Sequence, residues 1–529
     1  MNLYGSNLFF GMMFVALFVL QFLWLRIPEK RAGGDKIPSR RFMDCLFCLC
    51  TAFAAASLLR LYPGNARPPI QDSSAFLYIG KRMAEGKLPY RDLFDHKGPL
   101  LYLIQRIGIG LTPDSYTGVW MLELLTMAAS ARYILKLAGL VTENRAEAYL
   151  TVLAVLGACG WMVWQGGNFT EEFALPWIAC AASICCSFFE NGTYRPRDIL
   201  LLGAGFAAVL LLRANMVAVW ACYIPIVLIL LLKEKRFSDL GRCTLLFLGG
   251  AILMTLPFVI WAAEAGFLRE LWEDYILFNF RYTGSVAMGM RERVNLILLF
   301  AKVLWPATAA LLISLILMPR KKLLWYNLLF YAVSAASAAM SGRLYFHYAI
   351  VMLPAVVLPF ACCFDRFSRL LRNRNRNGEV NPAVLVATCV LIVTGAVSYR
   401  LVFSYSADDD HLTAYLKENT EAEDDVLIIG NSSWYYLLTD RKTENRYFYQ
   451  LPPLEISEVH RDDFYEELRQ KPSDWIALPG YREERDWMNE ALGGLRSFLE
   501  TDAGYRREDY DEFEIYISDH RSNNRRKYG

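Results

Sequence analysis

Apolar residues in this chain come in long unbroken runs, not in the short alternations of a soluble protein. A helix of about 20 apolar residues crosses the hydrocarbon layer at about 1.5 Å rise per residue. About twelve segments reach or approach that length: roughly 7–26, 42–62, 116–137, 146–164, 172–189, 198–213, 215–232, 242–263, 295–318, 323–340, 346–364 and 383–403. Some are short or interrupted, so the pattern predicts a polytopic α-helical membrane protein of about 12 spans, with 11–13 as the range. Segment 99–111 is too short to span and reads as an interfacial helix. Residues 264–294 scatter Trp272, Tyr275, Phe278, Phe280 and Tyr282 among charges, as an amphipathic loop on the membrane surface would. No internal repeat stands out.

Past residue 404 the pattern changes. Residues 424–430, 474–479 and 512–517 read as three strands, separated by helical patterns near 408–419, 460–470 and 484–501. The expected organisation is therefore an extra N-terminal helix with a basic loop (1–41), a membrane domain (42–403) with a large outer loop (63–115), and a C-terminal soluble α/β domain (404–529). Gly430 stands alone before Asn431, so there is no glycine-rich phosphate loop in that domain.

Charge orients these pieces. Basic residues crowd four inter-span loops: Arg26 to Arg41, Lys233 to Arg242, Arg320 to Lys322, and Arg366 to Arg376. With twelve spans all four fall on one side, which the positive-inside rule makes the cytoplasm. The loop after Asp72, the Glu171-Glu172 turn and everything beyond 404 then lie outside, giving a multi-pass cell-membrane protein with an extracytoplasmic C-terminal domain. The first span lacks a basic leader and a small-residue cleavage site, so it reads as a retained helix. The net charge of +2 conceals an acidic C-terminal segment, 16 Lys and Arg against 29 Asp and Glu after 403, which argues against nucleic acid as a partner. All twelve cysteines, Cys45 to Cys389, lie in or beside apolar segments. The outer domain thus has neither a disulfide framework nor a zinc module. Cys45 and Cys48 have a metal-like spacing but sit in an apolar helix, where free cysteine packs as a small hydrophobe.

Four polar clusters fall on the predicted outer side. They are Asp72 with Asp92, Asp95, His96 and Lys97; Asn168 to Glu172; Arg213 with Asn215; and Arg343 to Tyr348, which includes Tyr345 and His347. Any one alone is most simply a solvated loop charge or a snorkelling arginine. Four such clusters on one side are harder to explain that way. Carboxylates at a cavity mouth can orient or deprotonate a hydroxyl, and cations can neutralise a departing phosphate.

The loop itself resembles a family. Asp72, the turn Gly86-Lys87-Leu88-Pro89-Tyr90 and the segment Lys97-Gly98-Pro99-Leu100 are similar to the first outer loop of the polyprenyl-phosphate-dependent GT-C glycosyltransferases, the group of protein O-mannosyltransferases and lipid A aminoarabinose transferases. The resemblance covers roughly 42–400 and is strongest over 72–106. It implies a GT-C-like membrane fold, with Asp72 as base and Glu171 or Glu172 as the second acidic position. It implies phosphate or substrate binding at Lys97 and at Arg343, Tyr345 and His347; Asp95, His96, Arg213 and Asn215 are grouped with these binding residues by their clusters. The partners implied are a polyprenyl-phosphate sugar donor, membrane lipids and an envelope glycan, lipid or protein acceptor. Ser73 stands where many relatives carry a second acid, which weakens any two-carboxylate metal site; no metal ligand and no certain cofactor is assigned, and a divalent cation stays compatible. Gly98 replaces a proline.

Glu171 and Glu172 are neighbours on a helix start and point about 100° apart; the reading favours Glu171 toward the cavity, with Glu172 held by the helix dipole. The activity expected is inverting transfer of a hexose or pentose on the outer face. Two alternatives stay open: a lipid-linked sugar or polymer transporter, which would carry charges through its spans, and a non-catalytic envelope-assembly subunit.

Overall fold

The structure is a computed structural model, describing residues 40–374 and 411–518 apart from short breaks at 58, 64–68, 70, 161–162, 165, 286–287, 451–452, 480–487 and 489–491. The expected spans 7–26 and 383–403 lie outside the described residues. Packing divides the chain in two. One unit holds 66–118, 259–286 and 406–529; the rest forms the other. Most of the outer loop thus shares a unit with the residues from 406 onward.

Among the described residues most of the apolar runs form helices. Arg40–Ala56, Thr117–Ala138, Thr170–Asn191, Pro196–Leu210, Ala218–Lys233, Phe237–Glu264 and Lys322–Ala338 follow those runs closely. Among the described residues four helices are long and apolar enough to cross a membrane, or five if a bent pair counts as one span. The twelve-span count is therefore not confirmed. The bent pair corrects one segment outright. The run 295–318 is not a single rod: Met290–Val303 and Trp305–Leu317 meet at 89°. Pro306 sits in the first turn of the second helix, where its ring blocks continuation from the first. Phe346–Val356 is a 3-10 segment containing Pro354, and an α-helix follows from Val357.

Two helices of this unit touch backbone to backbone. A Cβ on Gly203 would stand 1.9 Å from the Phe247 carbonyl oxygen, and one on Gly250 would stand 2.0 Å from that of Leu200. Small residues permit this close crossing, which supplies packing where lipid gives no hydrophobic drive.

The other unit is built on a four-stranded sheet of order β1-β2-β4-β3, with β1 Val426–Ile428, β2 Trp475–Pro479, β3 Tyr505–Tyr510 and β4 Phe513–Ser518. β1 and β2 are parallel, pairing Leu427 with Ile476; β2 and β4 are antiparallel, pairing Ala477 with Ile515. Three strands lie where the sequence places them. The fourth, β3, carries Arg506, Arg507, Glu508 and Asp509 in a row and hides its strand character behind them. Such charge is what an edge strand needs to refuse further pairing.

Residues from all three segments share one buried core. Phe94, Phe278 and Tyr282 pack with Leu427, Tyr447, Phe464, Ile476 and Tyr516. Ile109 is buried in the helix Pro99–Leu111, which packs against Asp72–Ala84. A Cβ on Gly80 would lie 2.6 Å from Gln105 Cβ, so these two helices nearly touch. The segment read as one surface loop, 264–294, is helical from Leu268 through Ser285, with a π-helical turn at Leu271–Leu277.

Candidate active site

Within the sheet-containing unit, Asp72 opens the helix Asp72–Ala84, where the dipole favours a carboxylate. Gln71 precedes it with φ 55°, turning the chain sharply into the helix. The chain returns through a tight turn: Gly86 and Tyr90 take positive φ, the Tyr90 N–H donates to the Leu93 carbonyl at 2.8 Å, and Asp92 accepts from the Leu88 N–H at 2.7 Å. Asp92 is thus a turn staple, not a partner of Asp72. After the turn come Asp95, His96 and Lys97, all buried, and Pro99 then opens the next helix.

Lys97 is the centre of this cluster. Its Nζ lies 3.8 Å from Asp72 Oδ2 and 3.0 Å from His96 Nε2, with the Phe76 ring 5.8 Å away. The lysine side chain is 6% exposed and the aspartate 35%, so a buried cation faces a partly open carboxylate. The Tyr90 hydroxyl donates to the Lys97 carbonyl at 2.7 Å and fixes the backbone. Behind it, Asp95 Oδ1 accepts from the His96 N–H at 2.6 Å and the Tyr449 hydroxyl at 2.5 Å. Burial alone would raise the Asp95 carboxyl. Hydrogen bonding from His96, the Lys97 charge and the Tyr449 hydroxyl outweigh it and hold Asp95 well below the usual carboxylate range. Burial and the Asp95 charge push the Tyr449 phenol well above its ordinary value, so it stays a donor. Asn431 Nδ2 donates to Asp72 Oδ1 at 3.3 Å. Asn431 and Tyr449 come from the C-terminal segment, and no local pattern in the sequence marked them.

The membrane unit holds a second cluster. Glu171 Oε1 takes a hydrogen bond from Arg213 Nη1 at 2.8 Å, and Oε2 takes one from the Thr170 hydroxyl at 2.9 Å. The Arg213 guanidinium lies over the Tyr348 ring at 4.1 Å. His347 is stacked between two rings, Phe169 at 4.1 Å and Tyr345 at 5.7 Å, and Arg343 donates to the Tyr345 hydroxyl at 3.3 Å. Glu172 accepts from the Phe169 N–H at 3.0 Å, closing the helix start instead of joining Arg213. The Asn215 carbonyl accepts from the Ser337 hydroxyl. Glu123 is a further buried carboxylate, accepting from the Asn168 N–H at 2.7 Å. A lone acid inside the apolar run 116–137 was a visible signal for it. Among the described residues no group of three or more His, Cys, Asp or Glu is placed to hold a metal.

Residues 48–372 match the family model described as "Putative competence-induced protein Ccs4 N-terminal domain". The chain belongs to that family. The Ccs4 N-terminal segment contains Asp72, Lys97, Glu171, Arg213 and His347, while Asn431 and Tyr449 lie beyond it. No curated protein sequence matches this chain. Among solved structures, ArnT from Cupriavidus metallidurans bound to undecaprenyl phosphate superposes with a TM-score of 0.60 at 12% identity, over 90% of this chain and 97% of that one. The apo form of the same ArnT gives 0.59 at 10% identity, with the same coverage. This Ccs4-family chain therefore has the GT-C fold expected from its first loop, and it is an α-helical membrane protein with a small C-terminal sheet.

Proposed function

We propose that the protein is a membrane glycosyltransferase that takes a sugar from a polyprenyl-phosphate donor and passes it, with inversion, to an acceptor hydroxyl on the outer face. The observation that carries this reading is the pair of a partly open Asp72 and a buried Lys97 Nζ, 3.8 Å apart. A general base and a cation for a leaving phosphate are what this transfer requires. The acceptor oxygen attacks the anomeric carbon, its proton passes to Asp72, and the bond from that carbon to the phosphate oxygen breaks. The lipid phosphate departs with the electron pair, and Lys97 neutralises its charge. His96 and Asp95 position the lysine from behind: the imidazole accepts at Nε2, and Asp95 supplies compensating charge.

In the membrane unit, Glu171 is the candidate second acidic residue and Arg213 its counterion. Arg343, Tyr345 and His347 are assigned to phosphate and substrate binding. The undecaprenyl phosphate held by ArnT supports a lipid phosphate as the ligand here.

The test is transfer by the purified full chain from a labelled polyprenyl-phosphate hexose to a crude envelope acceptor. Loss of transfer in Asp72→Asn is expected. Unaltered transfer in that variant would remove the base assignment, and lipid-sugar movement without transfer would favour a transporter.

A further inference from the structure

Beside the loop that carries Asp95 to Lys97 lies a groove of about 1160 Å³, walled by residues 269–281 on one side and the helix Glu458–Gln470 on the other. Its lining holds six Lys or Arg and seven Asp or Glu. Among the described residues three of the six cations are paired with acids of the lining. Arg446 bonds to Asp274 and lies 3.3 Å from Asp463, Arg269 lies 2.9 Å from Glu273, and Arg469 lies 3.5 Å from Glu466. Among the described lining residues the acids are in slight excess. An anionic ligand is therefore a poor fit.

A ligand rich in neutral hydroxyls fits better. A hydroxyl both donates and accepts, so it can bridge a carboxylate and a neighbouring guanidinium without disturbing their charge balance. Glu467 lines the same groove. Its Oε1 takes the Arg446 N–H at 2.9 Å, while Oε2 is buried with no hydrogen-bond partner among the described residues. Tyr465, half-buried in the lining, offers ring surface of the kind that packs on sugar C–H groups.

The groove is bonded to the loop behind it. Arg446 Nε donates to the Tyr90 carbonyl at 2.8 Å, and the Phe94 N–H donates to the Arg446 carbonyl at 2.9 Å. The Phe94 ring sits 4.9 Å from His460 and 5.4 Å from Tyr447. Asn279 Nδ2 donates to the His96 carbonyl at 2.7 Å.

We propose that this groove binds the acceptor as a neutral, hydroxyl-rich oligosaccharide, held beside the loop that bears Lys97. The assignment of this ligand as acceptor rests on the transferase reading; the groove's choice of ligand does not. Full-length protein in lipid nanodiscs is tested against short neutral gluco-, manno-, galacto- and N-acetylglucosamine oligomers, their sulfated counterparts, and a hexalysine peptide. Undecaprenyl phosphate binding is measured in parallel. Neutral oligomers should bind, and the double variant Asp462→Arg with Glu466→Arg, both exposed on the groove helix, should weaken that binding by about tenfold or more.

The proposal fails if no neutral oligomer binds, if sulfated oligomers or hexalysine bind more tightly, or if the double variant binds as wild type does. Should neutral oligomers bind while wild type ignores undecaprenyl phosphate, the transferase reading falls and the groove assignment stands. The reverse result removes the groove alone.

Discussion

Replacing Lys97 by methionine removes a positive charge that is enclosed by Asp72, His96 and the Phe76 ring, while keeping nearly the same length of side chain. A charge-assisted hydrogen bond to a ligand phosphate is worth roughly 1.5–3 kcal/mol. That converts to about 10- to 150-fold in Kd. The assay is undecaprenyl phosphate binding to the full chain in nanodiscs, with thermal unfolding measured on the same samples. Methionine is the better probe because Lys97 is buried. Lys97→Glu would bring a third carboxylate beside Asp72 and Asp95, so a folding defect would be mixed with the binding defect. Lys97→Arg should recover only part of the affinity, since a planar fork and a point charge fit different geometries. A Lys97→Met protein that unfolds near the wild-type temperature and keeps wild-type affinity would refute the phosphate role.

Three further outcomes follow from particular contacts. Tyr449→Phe removes a 2.5 Å hydrogen bond to the buried Asp95 and should cost about 1.5–3 kcal/mol at neutral pH. Asp95 lies below its unfolded value of about 3.9, so its stabilisation is present above that pH and lost as pH falls through the folded value; the variant raises the folded value, so the acid decline of unfolding temperature should begin at the same pH, end at a higher one and be smaller in total. Phe94→Ala should destabilise the sheet-containing unit by about 3–5 kcal/mol, read as faster hydrogen exchange at Ile476 and Ala477 although the change lies in the outer loop. Glu171→Gln should cut transfer sharply because Arg213 loses its counterion, whereas Glu172→Gln keeps an oxygen for the Phe169 N–H and should retain most activity; the opposite ranking in the transfer assay would reverse the two roles.

Periodicity made the helices legible because a membrane span is written in a single property repeated over about 20 residues. The break at Trp305 was less visible, since Pro306 is as apolar as its neighbours and only its ring geometry bends the chain. The first loop exposed Asp72 and Lys97 because both belong to one short segment with recognisable turns. Asn431 and Tyr449 stand 359 and 354 residues from their partners Asp72 and Asp95, and an asparagine or tyrosine in a soluble-looking segment carries no local sign of what it will touch. β3 illustrates the opposite problem. Its charges describe the solvent it faces, not the β4 backbone it pairs with.

The core that joins Phe94 to Tyr447, Phe464 and Ile476 sets an order on biosynthesis. During translation the outer loop emerges early, yet the side chains that enclose it are the ones made last. Closing contacts across such a long stretch of chain is slow and entropically costly. The loop must therefore wait in an unfinished state, with Phe94 uncovered and Asp95 lacking Tyr449, until the ribosome has passed Ile476. A message truncated before Tyr449 would still encode Asp72 and Lys97 with every membrane helix described here, but would leave that loop without its final partners.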